Sequence, residues 1–155
     1  MLRLQEISDR LEIQQLMTDY ASAIDRRQFD ELDRVFTPDA YIDYRAMGGI
    51  DGRFPQVKAW LSQVLPAVFA SYQHMNGNLS IRFDGDGATS RMICFNPMVI
   101  EVPGKGRRTL FVGLWYEDVL LRTADGWRIS ERREQKCFDH NLPEGFGAPQ
   151  IDVAG

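Results

Sequence analysis

The sequence predicts an α+β domain in which three N-terminal helices cover one face of a curved antiparallel sheet and enclose a pocket with it. Up to residue 66, apolar residues recur at the spacing of helix faces. From His74 onward they alternate with period two, as in strands, and Gly-rich turns separate the alternating stretches. Helices that precede a run of antiparallel strands are typical of this fold class.

Composition favours one domain that binds neither nucleic acid nor membrane. The 155 residues, 44% of them hydrophobic, suffice for one core and are too few for two ordinary domains. We expect that domain over residues 1–138 and an irregular tail, rich in Pro and Gly, over residues 139–155. The net charge of −4 offers no basic surface for nucleic acid or anionic lipid.

Cysteine usage and hydropathy suggest a soluble cytoplasmic protein. The two cysteines, Cys94 and Cys137, lack metal-like spacing, which favours a reducing compartment over a disulfide scaffold. Residues 1–10 alternate apolar and charged side chains, and no stretch of about 18 apolar residues occurs. We therefore expect neither a signal peptide nor a membrane span.

The first helix is predicted by six residues that share one face: Ile13, Leu16, Met17, Tyr20, Ala21 and Ile24. Asp9, with Glu12 three positions later, has the pattern of an N-cap and predicts a helix start near Arg10. Asp25 lies about 40° from Ala21 around the helix, at the rim of the apolar stripe. It is either a helix-end acid paired with a neighbouring arginine or a functional carboxylate with a partner in a cavity.

Two further helices precede the long strands. A short one, ended by Pro38, is predicted by four apolar residues: Phe29, Leu32, Val35 and Phe36. A strand is expected over residues 41–44. Pro55 suits the first turn of a third helix, which Pro66 is expected to kink or end.

One predicted strand, residues 88–101, has a face suited to a cavity wall. Its even positions are small, soft or weakly polar: Ala88, Ser90, Met92, Cys94, Asn96 and Met98. Methionine adapts to irregular shapes and a buried amide can orient a ligand, so Asn96 and Met98 are candidate substrate contacts. A strand packed in the core would have the same pattern.

His74 is one of two histidines and stands at the start of the first long strand. A lone histidine is often structural, and it becomes a candidate base when an acid orients its ring. Strict alternation places His74 on the side of Ser80, opposite the apolar Leu79 and Ile81. Either a bulge at Gly77 re-aims the histidine, or the even-numbered face is the cavity face.

Four segments together resemble a known family: Asp25 at the end of the first helix, Ile42-Asp43-Tyr44-Arg45, Gln73-His74 followed by Gly77, and Asp125-Gly126-Trp127. They resemble scytalone dehydratase and the wider SnoaL-like group of the nuclear transport factor 2-like superfamily. That superfamily also contains ketosteroid isomerases, polyketide cyclases, limonene epoxide hydrolases and a hexachlorocyclohexane dehydrochlorinase. The resemblance covers about residues 9–133. It implies a cone-shaped sheet, no cofactor, and a homo-oligomer, either a dimer or a trimer.

The resemblance also assigns roles to residues. It implies that His74 is the catalytic base, that Asp25 orients it, and that Tyr44 acts through water on a substrate carbonyl or leaving hydroxyl. The chain departs from the dehydratase at Met98, where a second active-site histidine is expected. It also departs at Ile24, where a tyrosine is expected, although Tyr20 lies one turn earlier.

These residues favour a cofactor-independent dehydratase. A histidine–carboxylate pair can remove a proton α to the carbonyl of a hydrophobic cyclic or aromatic hydroxy-ketone. The alternatives are a ketosteroid-isomerase-like enzyme, a polyketide cyclase, or a non-catalytic binding or dimerisation module. No metal site is expected, because His74 and the carboxylates lack clustered spacing and His140 lies in the predicted tail.

Three more residues are candidate substrate contacts. Trp115 and Tyr116, on a central strand, could stack on a planar substrate, although large aromatic residues in a sheet are more often core. Arg133 shares parity with Ile129, so it is expected to point inward and meet an anionic group of a substrate. The alternative is a salt bridge to a neighbouring glutamate such as Glu131.

Overall fold

The structure is a computed structural model that describes residues 1–143. Its elements are α1 (Leu4–Asp25), a 3-10 turn (Phe29–Arg34), β1 (Phe36–Asp43), a second 3-10 turn (Arg45–Met47), β2 (Asp51–Arg53), α2 (Phe54–Val68), β3 (Phe69–Tyr72), β4 (Met75–Asp84), β5 (Gly87–Val102), β6 (Gly106–Thr123) and β7 (Gly126–His140). Within the described residues the strands form one seven-stranded sheet in the order β2-β1-β7-β6-β5-β3, with β4 also paired to β5. The predicted α+β class is confirmed.

Long antiparallel hairpins form most of the sheet. Strands β5 and β6 pair without interruption from Gly87↔Leu121 to Val102↔Gly106. The pairing of β1 with β7 is parallel, so the sheet is not antiparallel throughout as predicted. Register shifts interrupt the β4–β5 and β6–β7 pairs. Such bulges increase local twist, and the sheet curls around the helices into a half-barrel.

Helix α1 buries the predicted face, with Ala23 in place of Ala21. Its predicted start is wrong, because the helix begins at Leu4 and Asp9 lies inside it. The Asp9 carboxylate accepts hydrogen bonds of 2.8 and 2.7 Å from Arg122 and one of 3.2 Å from the Trp127 indole. A charge-assisted tertiary contact therefore takes the place of the predicted helix cap.

The second predicted helix is a 3-10 turn, and β1 starts at Phe36, earlier than predicted. Pro38 lies within this strand, where the pairing with β7 shifts register between Phe36 and Tyr41. A missing N–H is tolerated at such an irregularity. Helix α2 is confirmed, with Pro55 in its first turn and Pro66 near its end. Neither helix is long and apolar enough to cross a membrane in the described part of the chain.

The short strands β2 and β3 were not predicted. Strand β7 continues through His140, two residues beyond the predicted end of the domain at residue 138. Of the predicted tail, residues 144–155 lie outside the described residues. The core lies between the helices and the concave face of the sheet, where Ala88, Met92 and Cys94 of β5 are buried as the alternation predicts.

Candidate functional site

A cavity of about 240 Å³ lies between the two α-helices and the concave face of the sheet. Most of its wall is apolar, and Trp60, Leu61 and Val64 of α2 line one side. The polar residues of its lining include Tyr20, Tyr44, His74, Asn96, Tyr116 and Glu134. An apolar cavity with a few convergent polar groups is the usual form of a small-molecule site.

Asp25 and His74 meet at this cavity. Asp25 is the last residue of α1, and His74 lies between β3 and β4. The Asp25 Oδ1 atom is 2.7 Å from His74 Nδ1, and both carboxylate oxygens accept from the His74 backbone amide at 3.1 and 3.0 Å. An ionised carboxylate only accepts hydrogen bonds, so Nδ1 carries the proton and Nε2 keeps the lone pair needed by a base.

The alternative interpretation was that a neighbouring arginine pairs with Asp25, and the structure does not show this pairing within residues 1–143. The Arg27 guanidinium instead donates to the backbone carbonyls of Phe69 and Ala70, at 2.9 and 3.1 Å. The side chains of His74 and Asp25 are 8% and 22% exposed, so the pair is partly shielded from water. The acid is therefore available to the histidine.

A bulge turns His74 toward the cavity. The register of β4 on β5 shifts between Gly77 and Ser80, and Asn78 in this segment has a φ of 50°. His74 therefore faces the interior before the bulge, as Leu79 does after it. Of the two alternatives that the sequence left open, the bulge next to Gly77 is confirmed, since the extra residue reverses the alternation.

Asn96 and Met98 both line the cavity. The Asn96 amide lies 3.3 Å from His74 Nε2 and donates to its lone pair, a long bond that a substrate can displace. Asn96 Oδ1 is buried and finds no hydrogen-bond partner within residues 1–143. This amide can therefore orient the imidazole, a substrate, or each in turn.

Tyr20 and Tyr44 form a buried hydroxyl pair, with 2.8 Å between their oxygens. Burial raises the pKa of Tyr20 and, more strongly, that of Tyr44. The Tyr116 ring packs edge-on against Tyr20 with 5.6 Å between centroids, and burial raises its pKa well above the usual value as well. All three tyrosines are neutral at physiological pH and act as hydrogen-bonding groups.

Arg132, which the sequence analysis did not single out, is fully buried behind these tyrosines. Its guanidinium bonds the Asp118 carboxylate at 2.7 and 2.8 Å. Its Cζ atom lies 4.1 Å from the centre of the Tyr20 ring and 4.3 Å from that of Tyr116. This cation packs on two walls of the cavity and partly opposes the effect of burial on the pKa of Tyr20.

The inward orientation predicted for Arg133 is wrong. The β6–β7 register shifts between Val119↔Glu131 and Leu120↔Ile129, which reverses the alternation of β7 beyond that point. Arg132 consequently faces the core, while Arg133 is exposed and lies 3.8 Å from Glu131. The alternative, a salt bridge to a glutamate, is confirmed.

The two aromatic candidates lie on opposite faces of β6. Tyr116 lines the cavity, whereas Trp115 is on the outer face, where the Arg91 guanidinium carbon lies 4.5 Å from its ring centre. Successive residues of a strand point to opposite sides, so only one of the pair can reach a substrate in this cavity. Trp115 is therefore not brought together with the candidates that line the cavity.

The model of the SnoaL-like domain family matches residues 5–133 of this chain. The chain belongs to the SnoaL-like family. An uncharacterized protein of Mycobacterium tuberculosis is 67% identical to this SnoaL-like chain over 138 residues, which cover 89% of the chain and 92% of the relative. Among solved structures, Kfla4162 from Kribbella flavida is 28% identical with a TM-score of 0.78, covering 86% of this chain and 94% of that one.

More distant solved structures share the fold. Type 3 hexachlorocyclohexane dehydrochlorinase from Novosphingobium barchaimii has a TM-score of 0.78 at 19% identity, covering 93% of the SnoaL-like chain and 96% of its own. A nuclear transport factor 2-like superfamily protein from Salmonella enterica has a TM-score of 0.72 at 16% identity, covering 90% and 98%. The SnoaL-like chain thus has the nuclear transport factor 2-like fold.

Glu134 is a cavity residue that sequence reasoning missed. Glu134 lies beyond the β7 bulge, two positions after Arg132. It therefore shares the inward face of the strand with Arg132. Burial raises the pKa of its carboxyl from 4.5 to about 8, although the nearby Arg132 charge opposes that effect. No local sequence signal marks the bulge, so strict alternation assigned this side chain to the outer face.

The structure indicates no protein-built metal centre in residues 1–143, where no three His, Cys, Asp or Glu side chains are grouped to hold an ion. Both cysteines are free, Cys94 in the buried wall and Cys137 at the surface. Burial raises the pKa of the Cys94 thiol to about 12, so it stays protonated and is a poor nucleophile. His140 lies near Phe111, with 6.2 Å between ring centres, and does not line the cavity.

Proposed function

We propose that this SnoaL-like protein is a cofactor-independent dehydratase. In this proposal His74 removes a proton from the carbon α to the carbonyl of a hydrophobic cyclic or aromatic hydroxy-ketone. The observation that supports this proposal most directly is the 2.7 Å hydrogen bond from His74 Nδ1 to Asp25 at the wall of an apolar cavity. A filled interior or a solvent-exposed His74 would instead have favoured a binding module.

Asp25 prepares His74 for this step. By accepting a hydrogen bond from Nδ1–H it keeps the tautomer in which Nε2 is basic, and it stabilises the imidazolium that forms when Nε2 takes the substrate proton. The second contact, from the His74 backbone amide, holds the main chain as well as the ring. The base is therefore positioned before the substrate arrives.

The elimination balances as follows. The α C–H bond breaks as its proton joins Nε2, and its electron pair forms the C=C bond. The C–O bond on the neighbouring carbon breaks with its pair, and the leaving oxygen takes a proton to become water. The Tyr20 and Tyr44 hydroxyls are suited to hydrogen-bond the carbonyl oxygen directly or through water, as negative charge develops there.

Two features support the substrate class and the reaction type. The apolar wall and the neutral tyrosines favour an uncharged, ring-containing ligand over an ionic one. One solved structure with a similar fold is named a dehydrochlorinase, and the reaction in that name is an elimination, which accords with a lyase. Met98 cannot donate or accept a proton, so this protein would act without the second histidine implied by resemblance to scytalone dehydratase.

The proposal also includes association of this chain with further copies of itself. Several large apolar side chains are exposed on the described surface: Ile93, Phe95, Val119, Leu121 and Phe138. Phe95 also stacks on Phe111 at 5.7 Å, and such an apolar surface suits a second copy of the chain in a dimer or trimer. Sedimentation equilibrium would report a monomer if this part of the proposal is wrong.

The activity is tested with β-hydroxy derivatives of cyclic aromatic ketones, following loss of water by mass spectrometry. His74→Gln is expected to abolish turnover, and His140→Gln, at the other histidine, is the matched control. Deuterium uptake from heavy water without loss of water would indicate an isomerase-like proton shuttle instead. Turnover by His74→Gln equal to that of the wild type would refute the proposed base.

A further inference from the structure

Glu134 Oε2 is buried without a hydrogen-bond partner in the described chain. Buried polar atoms nearly always have partners, so an orphaned one at a cavity wall calls for an explanation. Glu134 as a residue is partly exposed while its Oε2 atom is enclosed, and the residue lines the same cavity as His74. A ligand bound in the cavity would supply the missing partner.

Glu134 and His74 reach the cavity from different parts of the sheet. Glu134 of β7 pairs with Tyr116 of β6, and β6 separates β7 from β5. His74 is held at the other side by Asp25 and by Asn96 of β5. A ligand between them can give up a proton to one group and receive a proton from the other.

We propose that Glu134 is the general acid of this site and protonates the hydroxyl group that leaves the substrate. This inference rests on the proposed dehydratase function. Breaking the C–O bond moves its electron pair to oxygen, and the carboxyl proton of Glu134 completes the water molecule. Glu134 is left as a carboxylate and His74 as an imidazolium, and proton transfer through water from the second to the first resets both.

The tyrosines are poorer proton donors for this step. Tyr20 and Tyr44 already bond each other, and burial raises the pKa of both above 10. A carboxyl with a pKa of about 8 is protonated at neutral pH and releases its proton far more readily. The charge of nearby Arg132 would also stabilise the carboxylate that the step creates.

Glu134 alone among its described neighbours is expected to titrate just above neutral pH. The groups that face it or share its end of the cavity are Arg132, Asp43, Tyr20, Tyr44, Tyr116, Cys94, Lys136 and Asp139. Burial raises the pKa of the tyrosines and the thiol, Asp43 has a lowered pKa, and Lys136 is paired with Asp139. A fall in water loss above about pH 8 therefore reports on Glu134.

The test separates proton removal from water loss. The first probe is α-tetralone, which has an exchangeable α-proton and no leaving group. The second is its derivative with a hydroxyl on the carbon β to the carbonyl. Glu134→Gln, which keeps the shape of the side chain, is expected to slow water loss by about 10²-fold or more while deuterium exchange of α-tetralone changes by less than about threefold. Glu131→Gln, on the exposed side of the same strand, is the control.

Each outcome has one meaning. Equal slowing of exchange and water loss in Glu134→Gln would assign a structural role to Glu134 and overturn the inference, as would unchanged water loss. If the wild type exchanges α-tetralone but its water loss does not fall above pH 8, the inference also fails. Absence of both reactions in the wild type would refute the proposed function itself, a result distinct from the others.

Discussion

Asp25 holds His74 at two points, its backbone amide and its ring nitrogen Nδ1, through one carboxylate at the end of α1. The hydrogen bonds from the backbone amide set where the chain passes between β3 and β4. The hydrogen bond from the ring sets which face of the imidazole meets the cavity. Because one group serves both purposes, a change at residue 25 should alter both ring tautomer and chain position.

Replacing Asp25 by Asn should reduce water loss by about 10²-fold to 10⁴-fold, because a neutral amide cannot stabilise the imidazolium that proton removal creates and, where its NH2 group faces Nδ1, it favours the tautomer with the proton on Nε2. Imidazole nitrogen chemical shifts, measured by NMR, check the tautomer independently of any substrate. Asp19→Asn, at an exposed carboxylate of the same helix, is the control. Water loss by Asp25→Asn as fast as that of the wild type would contradict the dyad.

Asp9→Asn should destabilise the protein by about 2 kcal/mol at neutral pH. The hydrogen bond from Arg122 is the main cause that lowers the pKa of Asp9 from 3.8 to about 2. A lowered folded-state pKa contributes stability above pH 3.8, and that contribution is lost as the pH falls toward 2. Urea unfolding at several pH values checks this, and a gap between variant and wild type that does not narrow in acid would contradict it.

Arg132→Met should lower the free energy of unfolding by about 3 to 5 kcal/mol, because it leaves the Asp118 carboxylate buried and unpaired. Arg133→Met, at the adjacent exposed arginine, should change it by less than about 0.5 kcal/mol. Adding Asp118→Leu to Arg132→Met is expected to recover much of the loss. Similar effects of the two single arginine variants would show that the bulge does not set their orientations.

Glu134→Gln should stabilise the protein in mildly alkaline solution relative to the wild type. The wild-type carboxyl has a folded-state pKa raised from 4.5 to about 8, so its contribution is full below pH 4.5 and is lost as the pH rises through 8. The shift sets an upper limit of about 5 kcal/mol on the difference. Unfolding curves for both proteins should coincide near pH 4.5 and separate near pH 8; curves that stay together would contradict burial of the ionisable group.

Gly49→Ala should displace Tyr44 and break its bond to Tyr20. A Cβ atom at residue 49 would lie 2.8 Å from Tyr44 Cβ and 3.0 Å from the Tyr44 carbonyl oxygen, so backbone would have to move. We expect a loss of about 1 to 3 kcal/mol in unfolding free energy and slower water loss. Gly77→Ala, whose Cβ would meet Ile93 at an ordinary 3.8 Å, is the control. Equal stability of the two variants would contradict the close contact.

Local sequence signals predicted α1, α2 and the long hairpins because apolar spacing, Pro55 and turns such as Ala124-Asp125-Gly126 act over a few residues. They failed where a distant partner competes with a local preference. Asp9 has the pattern of a helix cap, yet its carboxylate binds Arg122, which lies 113 residues away. A tertiary charge-assisted bond outweighs a cap.

The sequence by itself determined the helical faces, the turns between the long strands and the candidacy of Asp25 and His74. The tertiary structure decided that these two side chains meet and that Arg132 and Glu134 face inward in place of Arg133. An extra residue reverses every later side chain; Gly77 marks the bulge in β4, but no residue type marks the one in β7.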